Sequence, residues 1–182
     1  TRYVSSTLGA EQEYFLIDRE LYDLRPDLAV TGRTVFGSSP PKGQQLEDNY
    51  FGTIAERALD FMGDVELEAW KLGIPLTTRH NEVAPHQYEA APIYRPLNLA
   101  VDQNQMLMDI MRRVARRRGL AVLFHEKPFA GVNGSGKHNN WAMADESGTN
   151  LLSPGDTPDE TVEFLYFLTA VVRGVYRRAR LL

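Results

Sequence analysis

Apolar positions along this chain change period several times, and each change predicts an element. "EQEYFLID" (11–18) has strand composition, and its alternation places Glu11, Glu13, Phe15 and Ile17 on one face. Residues 23–47 hold Pro26, Gly32, Gly37, Pro40, Pro41 and Gly43, which predicts a loop broken by a short strand near "TVF" (34–36). From Glu47 to Leu72, Ile54, Ala58, Phe61, Met62 and Val65 recur at helical spacing, and Gly73 offers a C-cap. Residues 75–93 read as two strands around Pro85. A second helix runs from about Pro96 to Arg118, with Leu99, Val101, Met106, Leu107, Ile110 and Val114 mostly on one stripe and Gly119 ending it. Strands follow at 120–127 and 138–145, and a third helix begins at Pro158. Strands and helices mix without regular βαβ alternation. That favours an α+β fold with an antiparallel sheet.

With 182 residues, 43% apolar and 24% charged, the composition is that of an ordinary globular domain. The net charge of −4 leaves no overall footprint for nucleic acid. No cysteine is present, which excludes disulfides and thiolate metal sites and fits a reducing, cytoplasmic setting. No apolar run is long enough to span a bilayer. The arginine runs at 112–118 and 177–180 end predicted helices, where cations suit the helix dipole. The chain opens on Thr1 and stops inside an apolar helix at Leu182, so it is expected to be a piece of a longer protein.

Glu11 and Glu13 share a strand face about 7 Å apart, close enough to raise each other's pKa unless a cation intervenes. If "NEVAPHQYEA" (81–90) is a tight hairpin turning at Pro85–His86, Glu82 faces Glu89. Opposed carboxylates destabilise a sheet without a compensating charge. Both pairs make sense around hard divalent cations, which take carboxylate oxygens.

"GVNGSGKH" (131–138) comes one residue short of a phosphate loop, because His138 stands where the hydroxyl belongs. A phosphate loop also needs a helix directly after its lysine, and "HNNWAMAD" alternates like a strand. The glycines instead let the backbone approach a ligand closely, and His138 can offer a neutral imidazole to a metal. From the residues alone, a structural histidine and a ligating one both remain open.

"GAEQEYFLID", "NEVAPHQYE" and "KPFAGVNGSGKHNNW", in that order, resemble the catalytic-domain signatures of glutamine synthetase, nearest to the long-chain bacterial type III class. The resemblance covers nearly the whole chain, including "TGRTVFG", "PPKGQ", "ELEAWKLG" and "TNLLSPG". It implies a curved antiparallel sheet backed by helices, here an incomplete catalytic domain over residues 1–182.

The resemblance also implies site residues. Glu13, Glu82 and Glu89 would hold a first Mg²⁺ or Mn²⁺, and Glu11 and His138 a second that bridges the phosphates of ATP. Asn133 and Gly134 would contact glutamate, and Asn140 would lie beside the nucleotide. Glutamate, ATP and ammonia are the implied substrates, γ-glutamyl phosphate the intermediate, and a homo-oligomer the implied assembly. Further metal and substrate residues of the family would lie beyond Leu182, so the 182 residues alone are expected to make no glutamine. The competing readings are a γ-glutamyl ligase acting on a polyamine or other amine, and a non-catalytic metal- and nucleotide-binding module.

Overall fold

A computed structural model describes residues 3–181. Its organising element is the long strand β1 (Ser5–Asp18). Two short helices follow, α1 (Arg19–Asp23) and α2 (Pro26–Thr31), then an irregular stretch containing one 3-10 turn, and α3 (Glu56–Lys71). The hairpin β2 (Leu76–Asn81) and β3 (Gln87–Pro92) leads through β4 (Arg95–Pro96) into α4 (Leu97–Arg117). The chain continues with β5 (Leu120–Leu123), β6 (Lys137–Ala144) and α5 (Val162–Arg178).

The six strands form one sheet in which β1 is central and every registered pairing is antiparallel. Along one edge β1 pairs with β4 at Thr7–Leu8 and with β3 at Gln12–Phe15. Along the other it pairs with β6 over Ser5–Gln12 and with β5 over Phe15–Asp18. Glu11 and Glu13 therefore lie where three strands meet.

Strand alternation gives β1 two different faces. Tyr14 and Leu16 turn toward α3 and α4, joining Phe61, Met62, Val65, Leu107, Met111 and Val114 in the main core. Phe61, Leu107, Met111 and Val114 are fully buried, and each such side chain stabilises by about 1.5–3 kcal/mol relative to exposure. Phe15, on the opposite face, belongs to a smaller cluster with Leu28, Ala84, Leu123 and Val132. That cluster floors the far end of the face carrying Glu11 and Glu13.

The antiparallel sheet backed by helices is the expected class, and α4 lies within a residue or so of its expected bounds. Five elements differ from expectation. Strand β1 starts at Ser5, because "SSTLGA" adds an edge for β6 and β4. Helix α3 starts at Glu56 and not at Glu47: Leu46 and Glu47 take φ of 57° and 55°, and the chain is still extended at Ala55 (φ −61°, ψ 138°). The expected strand at "TVF" is irregular chain, anchored by the Thr34 N–H on the Pro128 carbonyl at 2.8 Å. The strand expected over 120–127 ends at Leu123. Helix α5 begins at Val162, four residues after Pro158, and none of its residues is buried. Among the described residues, no helix is long and apolar enough to cross a membrane.

Candidate functional site

Three strands deliver the acidic cluster. On β1, Glu11 and Glu13 project to the face away from α3 and α4. Glu13 lies directly opposite Glu89 of β3, and Glu11 directly opposite His138 of β6. Ligand atoms of Glu11, Glu89 and His138 all lie within 4.8 Å of one another, as do those of His80, Glu82 and Glu89. Glu89 belongs to both groups. His138 Nδ1 is 3.4 Å from Glu11 Oε2 and 3.9 Å from Glu13 Oε1.

The hairpin reaches this arrangement by a register that differs from the expected one. His80, not Glu82, stands opposite Glu89, and Glu82 closes the loop through its N–H on the Gln87 carbonyl at 2.8 Å. A two-residue turn at Pro85–His86 needs positive φ at its first position, which the proline ring forbids. The chain makes a four-residue loop instead, with positive φ at His86 (58°). The correction shifts the pairing by two residues, a full strand period, so Glu82 stays on the face of Glu89.

Burial is tightest on the β3 side. Glu13 and Glu89 are each 7% exposed. Burial, then the charges of Glu13 and Glu89, pushes the Glu82 carboxyl above its usual range. Burial, then the Glu11 charge, does the same to Glu89, against the opposing pull of His80. For His80, burial acts to lower the pKa, but hydrogen bonds to Asn81 and Glu89 and the charges of Glu89 and Glu82 outweigh it and raise it. Glu82 and Glu89, converging and reluctant to ionise, lie where a bound cation would offset their charge. Oxygen donors with one or two imidazoles suit a hard divalent ion, so the residues fit Mg²⁺ or Mn²⁺.

The glycine loop serves this cluster. Gly136 N–H donates to Glu13 Oε2 at 2.6 Å, and Glu13 N–H donates to the Gly136 carbonyl at 3.1 Å. Gln87 Nε2 donates to the Gly134 carbonyl at 2.8 Å, tying the loop to β3. Gly134 is sterically required by backbone, whereas a side chain on Gly136 would push on the His138 ring. A Cβ on Gly134 would sit 2.1 Å from the Glu126 carbonyl oxygen, and one on Gly136 would sit 2.5 Å from His138 Nε2.

Lys137 pairs with Gln12 and turns to the helix side, its Nζ 3.4 Å from Met108 Sδ of α4. It faces away from His138. Of the other expected site residues, Asn140 donates to Glu11 Oε1 at 2.6 Å. Asn133 is exposed and exchanges hydrogen bonds with Gln44, its N–H at 2.5 Å and its Oδ1 at 3.1 Å. Gly134 lies inside the loop, its carbonyl accepting from Gln87 Nε2.

Sequence reasoning missed His80 and Gln87. The signal for His80 was present: "HNE" places it two residues before Glu82, hence on the same strand face. For Gln87 no local signal existed, since its partners lie in the glycine loop and on β1. The arginine run at 112–118 is largely matched by acid. Arg118 bonds Asp64 at 2.7 Å and Arg117 approaches Glu68 at 3.8 Å.

Similarity to known proteins extends over nearly the whole chain. The family profile described as "Glutamine synthetase, catalytic domain" matches residues 2–177. A type-3 glutamine synthetase of Dictyostelium discoideum is 58% identical over 179 residues, covering 98% of this chain and 24% of the relative. A glutamine synthetase of Bacteroides fragilis is 56% identical over 179 residues, covering 98% of this chain and 25% of the relative. The solved structure titled "Apo GmaS without ligand" aligns with a TM-score of 0.62 at 26% identity, covering 82% of this chain and 32% of that one. The chain thus spans about a quarter of the length of the curated relatives it matches. On the profile match and these identities, the chain belongs to the glutamine synthetase catalytic-domain family.

Proposed function

We propose that the complete protein joins ammonia to the γ-carboxylate of glutamate at the expense of ATP, and that this chain supplies its metal-binding face. The observation that carries the reading is the convergence of Glu11, Glu13, Glu82, Glu89 and His138 on one side of a sheet, in a chain of this family. Glu13, Glu82 and Glu89 hold one Mg²⁺ or Mn²⁺, and Glu11 and His138 hold the other. Glu89, within reach of both groups, links them.

Glutamate's carboxylate and the terminal phosphate of ATP repel each other, so their approach needs positive charge placed in advance. When bound, the two ions supply that charge and polarise the transferring phosphoryl group. The chain's own residues fix where this happens. The Gly136 amide holds Glu13 in one orientation, Gln87 fastens the loop, and Gly134 permits its close pass beneath Glu126. Asn133 and Gly134 face glutamate, and Asn140, hydrogen-bonded to Glu11, faces the nucleotide. A homo-oligomeric, cytoplasmic enzyme fits this reading.

A phosphate-release assay on the complete protein tests it, with glutamate, ATP and ammonia omitted in turn. Release that needs all three, with glutamine as product, is the expected result. Release that persists without glutamate overturns the reading. Faster turnover with a polyamine or a simple alkylamine than with ammonia would assign the protein to amine ligation instead.

A further inference from the structure

The His80 ring is held more firmly than its sequence position requires. It stands on β2 directly opposite Glu89. Its Nδ1 is 2.8 Å from the Asn81 carbonyl, which can only accept, so Nδ1 carries the hydrogen. Tyr50 packs against the ring at a centroid distance of 5.7 Å and an angle of 70°. Asn81 is itself tied down, its Nδ2 donating to the Gly52 carbonyl at 2.9 Å. The outcome is that Nε2 faces the carboxylates, 3.0 Å from Glu89 Oε1.

A ring whose far nitrogen donates to a backbone carbonyl, leaving the near one toward carboxylates, has the outer-shell support typical of a metal-bound histidine. The spacing agrees. Two ligands about 2.1 Å from an octahedral ion at right angles lie about 3.0 Å apart. A protonated His80 donates to Glu89 across the same 3.0 Å, and a bound ion would take the place of that proton.

We infer that His80 is a nitrogen ligand, through Nε2, of the divalent ion held by Glu82 and Glu89. This rests on the metal-centre reading above and deepens it. Each ion then has one histidine, His80 on the β2–β3 side and His138 on β6. The consequence is a graded donor set: the His80 ion sits among part-buried donors on a clamped hairpin, while the His138 ion sits at the more open edge. The nitrogen also lowers the negative charge of the donor set relative to one built from carboxylates alone. That favours Mn²⁺, which accepts imidazole readily, over Mg²⁺, which prefers oxygen.

The test uses the complete protein, grown with ¹⁵N-histidine, loaded with Mn²⁺ and read by pulsed electron paramagnetic resonance. Histidine nitrogen couplings from two residues, one per ion, are expected in the wild type, a count that needs no variant. In His80→Gln one coupling should vanish, and one Mn²⁺ should bind about 10–100-fold more weakly, with the coupling from His138 kept. His138→Gln should show the reverse. A single histidine coupling in the wild type, or a His80→Gln spectrum unchanged from it, overturns the inference. Failure of the glutamine reading looks different: the couplings would stand while the phosphate-release assay stayed blank.

Discussion

Asp27 and Glu89 are equally hidden, at 6% and 7% exposure, yet the protein treats their charges in opposite ways. Asp27 accepts two hydrogen bonds from Arg25, at 3.0 and 2.7 Å, and a third from the Val35 N–H at 2.8 Å. The Arg25 hydrogen bonds, outweighing burial, hold its carboxyl well below the usual range. Glu89 has a raised carboxyl and three other glutamates around it, with only the imidazoles of His80 and His138 nearby among the described residues to offset them. Burial does not by itself distinguish a structural carboxylate from a functional one. The sign of the unbalanced charge does. Asp27 is neutralised within the chain and clamps the loop after α2. The Glu89 group is left short of positive charge, which is what a binding site for a cation requires.

The largest expected effect that separates the two regions is stabilisation by metal. At a hundredfold excess over its dissociation constant, Mn²⁺ should stabilise the complete wild-type protein by about 2.7 kcal/mol. Thermal unfolding with and without Mn²⁺ should show that gain retained in Asp27→Asn and mostly lost in Glu89→Gln. Equal gains in both variants would break the comparison.

Next comes the loop that serves the carboxylates. Gly134→Ala must displace the Glu126 backbone or the loop itself, which should cost about 1–3 kcal/mol and pull the Gly136 amide off Glu13. Denaturant unfolding measures the first effect and Mn²⁺ titration the second. A fully stable variant with unaltered Mn²⁺ affinity would mean that the loop does not hold Glu13.

A smaller effect concerns sign in the absence of metal. Glu89→Gln should raise unfolding stability by up to about 1 kcal/mol by removing cross-strand repulsion, whereas Asp27→Asn should lower it. The acid limb sharpens this. Because the folded Asp27 pKa is depressed, its contribution is present above the ordinary aspartate value of 3.8 and is lost as pH falls through the folded value. Asp27→Asn should therefore show a shallower loss of stability below about pH 4 than the wild type in acid titration. The two variants moving in the same direction would erase the distinction.

The smallest effect is expected at Lys137, beside the site in sequence and on the other side of the sheet in space. Lys137→Ala should change stability by no more than about 0.5 kcal/mol and leave Mg·ATP affinity intact, while His138→Ala weakens it. Nucleotide titration of the two variants decides. Loss confined to Lys137→Ala would restore a phosphate-loop reading of the glycine segment.

Local pattern alone determined a good deal here. Alternation in "EQEYFLID" put Glu11 and Glu13 on one face, and the hydrophobic spacing and Gly119 gave α4 nearly its observed ends. The failed phosphate-loop match was legible too, since no helix start follows Lys137. The helix start at Glu56 was not, because positive φ at Leu46 and Glu47 and the extended Ala55 before it are conformations that none of these residue types announces. Nor was the hairpin register, although the φ restriction of Pro85 could have excluded the two-residue turn.

What only the tertiary structure decided is which charges meet. Strand period fixes the face a side chain takes, and that is a property of neighbours in sequence. Which strand lies alongside, and at which register, depends on loop geometry and core packing summed over the whole sheet. So the sequence could offer Glu11, Glu13, Glu82, Glu89 and His138 as candidates. The pairing of β1 with both β3 and β6 then set Glu13 against Glu89 and Glu11 against His138, and the longer hairpin loop brought in His80.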